Sequence, residues 1–235
     1  DTMTNLQILG IDCHIGSQIT EIEPFIEALV HITNLADRLA KKGIELKHID
    51  IGGGLGVRYR DEQPPSIGAY LEPILEHFKG RRETLVLEPG RSIVADAGVL
   101  ITRVQYLKNN GNKHFAMVDA GMNDLMRPAL YGAWMDIKPV IEHSAEPVYN
   151  YDIVGPVCES TDVLGCDRSM AIRAGDLLCI CDAGAYGYSM SSNYNSRPRP
   201  AEVMVCGTQT HLIRARESLA DLTRGEQLLP VDTSL

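Results

Sequence analysis

Residues able to do chemistry fall into a few short segments of this 235-residue chain. His14-Ile15-Gly16-Ser17 sets an imidazole beside a glycine and a hydroxyl. An imidazole in that setting can stack on an aromatic ligand, act as acid or base, or cap a turn. Gly52-Gly53-Gly54 keeps side chains away from three successive backbone N–H groups, which suits a phosphate cradle or a tight turn. Its spacing matches neither G-x-G-x-x-G nor G-x-x-x-x-G-K-[ST], which argues against dinucleotide and nucleoside triphosphate sites. Glu88-Pro89-Gly90-Arg91 joins a carboxylate to a guanidinium, the material of a polar site or of a rim ion pair. Further on, Arg127 and Tyr131 place a cation and a phenol four residues apart, and Cys158-Glu159 pairs a thiol with a carboxylate. Ala183-Gly184-Ala185-Tyr186-Gly187-Tyr188-Ser189 presents Tyr186 on a glycine-rich loop. Taken singly, these last three also fit a surface charge, a small buried thiol and a hairpin turn.

Regular elements have to position these groups. Residues 6–11 form a short apolar run, read as a strand, that ends at the His14 cluster. Ile22, Phe25, Ile26, Leu29, Leu35 and Leu39 recur on a 3.6-residue period and predict a helix, with Pro24 suited to its first turn. Lys41-Lys42-Gly43, cations and then glycine, would stop it. Residues 46–51 read as a second strand, closed by the glycine triplet. Ile67, Tyr70, Leu71, Ile74, Leu75 and Phe78 mark a second helix, with Pro73 as a kink point and Gly80 as its end. Residues 84–87 form a third strand that runs into Glu88.

Strand, helix, strand, helix, strand, with polar clusters at the C-terminal strand ends, is the pattern of a parallel α/β fold, whose active sites gather there. Three strands in about ninety residues are fewer than a (β/α)8 barrel of roughly 250 residues needs. Residues 1–97 are therefore either a small open sheet or the last part of something larger. From residue 98 the texture changes to short β-rich runs at 98–106, 114–119, 148–154, 177–181, 202–206 and 211–214. Turn signals at Asn109-Asn110-Gly111 and Arg173-Ala174-Gly175-Asp176 separate them, and an all-β sandwich or barrel is predicted over 98–235.

Composition narrows the partners. A net charge of −9 repels nucleic-acid phosphates and anionic lipid surfaces. No apolar run approaches the ~18 residues of a membrane span, and no secretory leader is visible. The six cysteines contain no C-x-x-C pair, so zinc, redox and disulfide frameworks are not expected, and a reducing cytoplasm is. The chain opens Asp1-Thr2-Met3-Thr4, without an initiator methionine.

Six segments in order now carry a resemblance. They are His14-Ile15-Gly16-Ser17-Gln18, Asp50-Ile51-Gly52-Gly53-Gly54-Leu55-Gly56, Glu88-Pro89-Gly90-Arg91, Arg127-Pro128-Ala129-Leu130-Tyr131, Cys158-Glu159-Ser160 and the segment from Tyr186 to Asn195. Over essentially its whole length the chain resembles the bacterial diaminopimelate decarboxylase family, fold-type III enzymes that use pyridoxal 5'-phosphate. The resemblance implies a (β/α)8 barrel followed by a C-terminal β-domain. This chain would supply barrel strands six to eight over 1–97 and the β-domain over 98–235. In that family the lysine that forms the Schiff base with the cofactor lies near the end of the second barrel strand. None of the lysines here (41, 42, 47, 79, 108, 113 and 138) matches it. The chain would then be the C-terminal part of the enzyme, inactive alone.

The resemblance also implies roles. Glu88 would keep the pyridine nitrogen protonated, His14 would stack on the ring, and Ser17, Gly52, Gly53, Gly54, Pro89, Gly90, Arg91 and Tyr186 would hold and orient the cofactor. Arg91, Arg127 and Tyr131, with Tyr186 nearby, would grip the distal carboxylate of meso-2,6-diaminopimelate, and Glu159 its distal ammonium. Cys158 would donate the proton that quenches the carbanion. Cys158 and Glu159 would reach the neighbouring subunit's site, making a cytoplasmic homodimer the catalyst of L-lysine formation. Two other readings stay open. One is a related ornithine, arginine or carboxynorspermidine decarboxylase. The other is a non-catalytic short form that binds or regulates an intact enzyme.

Overall fold

The computed structural model describes residues 5–230, so the opening Asp1-Thr2-Met3-Thr4 lies outside the described residues. The chain divides into two compact units, Asp1–Gly98 and Val99–Leu235.

The first unit is α/β. Strands β1 (Gly10–Asp12), β2 (His48–Asp50) and β3 (Thr84–Val86) form a parallel sheet in that order. Helix α1 (Glu23–Ala40) follows β1, α2 (Ile67–Phe78) follows β2, and the short α3 (Arg91–Val94) follows β3. In α1 the buried positions are Phe25, Leu29, Ile32, Thr33 and Ala36, the spacing that turns one helical face to a core. Pro24 sits in the first turn, where its missing N–H is no loss. Helix α2 starts at Ser66, whose hydroxyl accepts from the Ala69 N–H at 3.2 Å, and it carries Pro73 inside. Tyr70 of α2 meets Phe25 of α1 edge-to-face, with ring centroids 4.9 Å apart. Those two side chains, Leu29, Ile74, Ile49 of β2 and Ile51 just beyond it belong to the core.

The first strand departs from the expected 6–11. Pairing begins only at Gly10, opposite His48, and Leu6 is 69% exposed. An apolar run becomes a strand only where a neighbour accepts its hydrogen bonds, and residues 6–8 have no sheet partner.

The second unit is β-rich. Its strands are β4 (Leu100–Asn110), β5 (Lys113–Val118), β6 (Ile137–Pro139), β7 (Tyr149–Val154), β8 (Val163–Met170) and β9 (Leu177–Ile180). They make a mixed sheet in the order β6-β9-β4-β5-β7-β8, in which only β5 and β7 run parallel. Edge strands β6 and β8 pack on each other, so the sheet is nearly closed into a barrel around Val104, Ala116, Ile153, Leu164, Leu178 and Ile180. Arg168 of β8 strengthens the closure by donating from Nη2 to the Met135 carbonyl at 2.8 Å while its guanidinium lies over the Trp134 ring.

A separate antiparallel ribbon pairs β10 (Glu202–Cys206) with β11 (Gln209–Arg214). Helices α4 (Arg127–Tyr131) and α5 (Leu219–Leu222) are single turns. The expectation of strands at 98–106 and 114–119 corresponds to β4 and β5, joined by the turn at Gly111. Strands β6 and β8 were not anticipated. The six cysteines are free thiols, and no helix among the described residues is long and apolar enough to cross a membrane.

Candidate active site

In the first unit the register of the sheet builds the site. Asp12 lies opposite Asp50, and Asp50 opposite Val86. Glu88 stands two residues beyond Val86, and a period of two keeps it on the same side. Carboxylate oxygens of Asp12, Asp50 and Glu88 accordingly lie within 4.8 Å of one another. Main-chain bonds continue the pairing past the strands: Cys13 N–H donates to the Asp50 carbonyl at 3.0 Å, and Glu88 N–H to the Gly52 carbonyl at 2.9 Å.

The glycine triplet is the junction of these loops. A Cβ on Gly53 would fall on the Glu88 carbonyl oxygen, and one on Gly54 on the Gly16 carbonyl oxygen, so no larger residue fits. The expectation of three unobstructed amides needs correcting. Gly52 N–H donates to Asp50 Oδ1 at 2.8 Å, and Gly53 N–H donates to His14 Nδ1 at 3.2 Å. Two of the three amides therefore orient side chains of the site. With Nδ1 accepting, the ring proton of His14 resides on Nε2.

A cationic end lies on the same loops. Arg91 donates from Nη2 to Ser17 Oγ at 2.9 Å and from Nη1 to the Tyr59 hydroxyl at 2.7 Å. The structure thus brings together His14, Ser17, the triplet, Glu88 and the Pro89-Gly90-Arg91 turn, all from one unit. An apolar cavity of about 170 Å³ also abuts the junction, between Gly52, Gly53, Tyr70, Leu87 and Pro89. None of the charged groups lines it, so it is not where polar chemistry would occur.

Asp12, Asp50 and Tyr59 are additions that single-segment reading missed. Asp12 and Asp50 could have been found from register, since each ends a strand one residue before the loop. Tyr59 carried no sequence signal, because only the fold of the 52–60 loop turns its hydroxyl to Arg91.

In the second unit the candidate residues sit on loops and on α4. Arg127 opens α4 and is only 7% exposed, its Nη1 donating to Met135 Sδ at 3.1 Å. It is not a surface charge, whereas Tyr131, at the other end of the turn, is 66% exposed. Cys158 is exposed rather than buried. Glu159 Oε1 accepts from its neighbour Ser160 N–H at 2.8 Å, and Glu159 Oε2 accepts from the Tyr194 hydroxyl at 3.3 Å. Tyr186 adopts φ 60°, an uncommon conformation for an aromatic residue, at the head of the segment that leads to Tyr194. The Cys158-Glu159 and Tyr186–Tyr194 segments are therefore neighbours, a pairing no spacing argument could reveal.

A parallel sheet whose C-terminal ends gather titratable groups, followed by a β-rich unit with its own polar loops, is an α/β unit joined to a β-rich one, and in parallel α/β sheets binding sites gather at those strand ends. Residues 13–184 match the family described as pyridoxal-dependent decarboxylase, C-terminal sheet domain, and the chain belongs to that family. Among curated relatives, diaminopimelate decarboxylase of Pseudomonas aeruginosa is 59% identical over 228 residues, which cover 97% of this chain and 55% of that protein. The chain spans about half the length of the curated relatives it matches.

Among solved structures, AQ1208 from Aquifex aeolicus superimposes with a TM-score of 0.91 at 45% identity, over 95% of this chain and 56% of that one. Diaminopimelate decarboxylase from Helicobacter pylori, solved as a complex with L-lysine, gives 0.88 at 42% identity over 95% and 55%.

Proposed function

We propose that this chain is the cofactor- and substrate-binding C-terminal portion of a pyridoxal-phosphate enzyme that decarboxylates meso-2,6-diaminopimelate to L-lysine and CO2. In this reading Asp1–Gly98 is the end of a (β/α)8 barrel, and Val99–Leu235 is the β-domain of a cytoplasmic homodimer. The observation that carries it is the two-signed site on adjoining strand ends: three carboxylates within 4.8 Å of one another, and an arginine bonded to Ser17. A ligand that is cationic at one end and a phosphate at the other is complementary to it.

Bound there, pyridoxal phosphate supplies an electron sink for the pair left when CO2 departs. Glu88 holds a proton at the ring nitrogen, and Asp12 and Asp50 add negative potential that favours the protonated form. His14, oriented by the Gly53 amide, stacks on the ring. Ser17, Gly54, Gly90 and Arg91 would bind the phosphate, and Tyr186 is assigned to the cofactor by the family resemblance alone. The bonds of Arg91 to Ser17 and Tyr59 favour this role over its alternative one, gripping substrate. Arg127 and Tyr131 bind the distal carboxylate, Glu159 the distal ammonium, and Cys158 returns a proton to the product carbon across the subunit interface.

Lys47 immediately precedes β2 and so lies at the opposite end of that strand from the C-terminal strand ends that form the site. The cofactor-bearing lysine is accordingly expected in the complete protein and not among the seven of this chain. A substrate panel on the complete protein tests the reading. Diaminopimelate should be turned over much faster than ornithine or arginine, and the reverse order would overturn it.

A further inference from the structure

The loop that carries Cys158 and Glu159 is held by a side chain that neither touches substrate nor has a role in the reading above. Asp162 is 3% exposed. Its Oδ2 accepts the Val157 N–H and its Oδ1 the Met122 N–H, each at 2.6 Å. Its main chain closes the same loop, the Asp162 carbonyl accepting from Gly155 N–H at 3.0 Å and the Asp162 N–H donating to the Glu159 carbonyl at 3.1 Å.

The slot is shaped for this carboxylate. A Cβ on Gly155 would fall on Asp162 Oδ2, and a Cβ on Gly121 would come within 3.2 Å of the same oxygen. The segment it grips also holds the second loop: Asn123 takes Ser192 N–H on its carbonyl at 2.9 Å and Arg197 Nε on Oδ1 at 2.9 Å. One largely buried stretch, 121–124, therefore fixes the backbone beneath Glu159 and the backbone leading to its partner Tyr194.

We propose that Asp162 is a positioning residue, whose buried carboxylate locks the 157–162 loop onto the 121–122 backbone and so sets where Glu159 and Cys158 meet a substrate's distal ammonium-bearing end. This rests on the reading that Cys158 and Glu159 line the substrate site. Asp162→Asn preserves the shape, but it sets an amide NH2 against one of the two backbone N–H donors, leaving that donor unsatisfied.

The test uses the complete protein and two substrates, meso-diaminopimelate and 2-aminopimelate, which lacks only the distal amino group. In D162N the preference for diaminopimelate should fall by about tenfold or more, mainly through KM, with cofactor loading unchanged. A residue that merely supports the fold would lower both substrates alike, and unchanged preference would overturn the proposal. Iodoacetamide labelling provides a readout independent of substrate: D162N should change the rate at Cys158 severalfold relative to Cys166 and Cys206 in the same molecule. If the wild type fails to decarboxylate diaminopimelate while this ratio still shifts, the functional reading falls and the positioning role stands. An unshifted ratio removes the positioning role. Should D162N not fold, wild-type hydrogen exchange decides: the Val157 and Met122 amides should exchange about a hundredfold more slowly than free peptide, and free-peptide rates would refute the anchor.

Discussion

In Asp1–Gly98 the polar groups stand where hydrogen-bonded parallel strands end, and the main chain itself places them. Asp12 and Asp50 are register partners, Glu88 follows β3 by two residues, and His14 is aimed by the Gly53 amide. In Val99–Leu235 the candidate residues stand on loops between antiparallel strands, and polar side chains place them: buried Asp162 holds the loop of Glu159, and buried Asn123 with half-buried Arg197 holds the loop of Tyr194. A site placed by strand register tolerates side-chain exchange nearby but no change of backbone contact. A site placed by buried polar anchors should fail locally, one anchor at a time.

Gly53→Ala should produce the largest effect. Its Cβ collides with the main chain of Glu88, which has no rotamer to retreat into, so a loss of about 3 kcal/mol in urea unfolding is expected, together with loss of cofactor binding by the complete protein. Gly155→Ala meets a side chain instead, the Asp162 carboxylate. About 1–2 kcal/mol is expected, with faster hydrogen exchange confined to 157–162 and 121–122. Equal, global losses in both variants would erase the distinction between the units.

Acid offers a third comparison. Burial opposes ionisation of Glu83, but its hydrogen bonds with Arg81 and with backbone amides prevail and hold its carboxyl below the usual range. A depressed folded-state pKa contributes stability above the ordinary glutamate value, and that stability is lost as pH falls through the folded value. Asp162 and Asp124 are pushed up, chiefly by burial, so their contributions have the opposite sign: fully present below the ordinary aspartate value and lost as pH rises through the folded one. Glu83→Gln should therefore flatten the acid limb of the first unit's stability by less than about 1 kcal/mol, followed by urea midpoints against pH. Lys138→Ala, which breaks only the exposed pair with Asp136 at 2.7 Å, should leave the midpoint unchanged.

The same difference explains what could be read in the sequence. The apolar period of α1 and α2 and the polar clusters after each parallel strand were legible because both are local patterns, and parallel topology sends such clusters to one side. The start of β1 was not, since Leu6 and Ile8 look like strand but have no sheet partner. Strand β8 was hidden because its sequence, Val163-Leu164-Gly165-Cys166-Asp167-Arg168-Ser169-Met170, buries an arginine over Trp134 and carries Asp167 at φ 52°. Strand β6, three residues ending in proline, is too short for any period to register. Glu159 and Cys158 were visible as residue types, but the anchor Asp162 and the partner Tyr194 belong to long-range contacts that no local spacing encodes.

In the proposed function Glu88, set among Asp12 and Asp50, would keep a proton on the ring nitrogen of pyridoxal phosphate. Glu88→Gln in the complete protein addresses it directly, with kcat for diaminopimelate and cofactor content measured together. Retained cofactor and a kcat lowered by about a hundredfold or more are expected. A variant that binds the cofactor and turns over at the wild-type rate would contradict it.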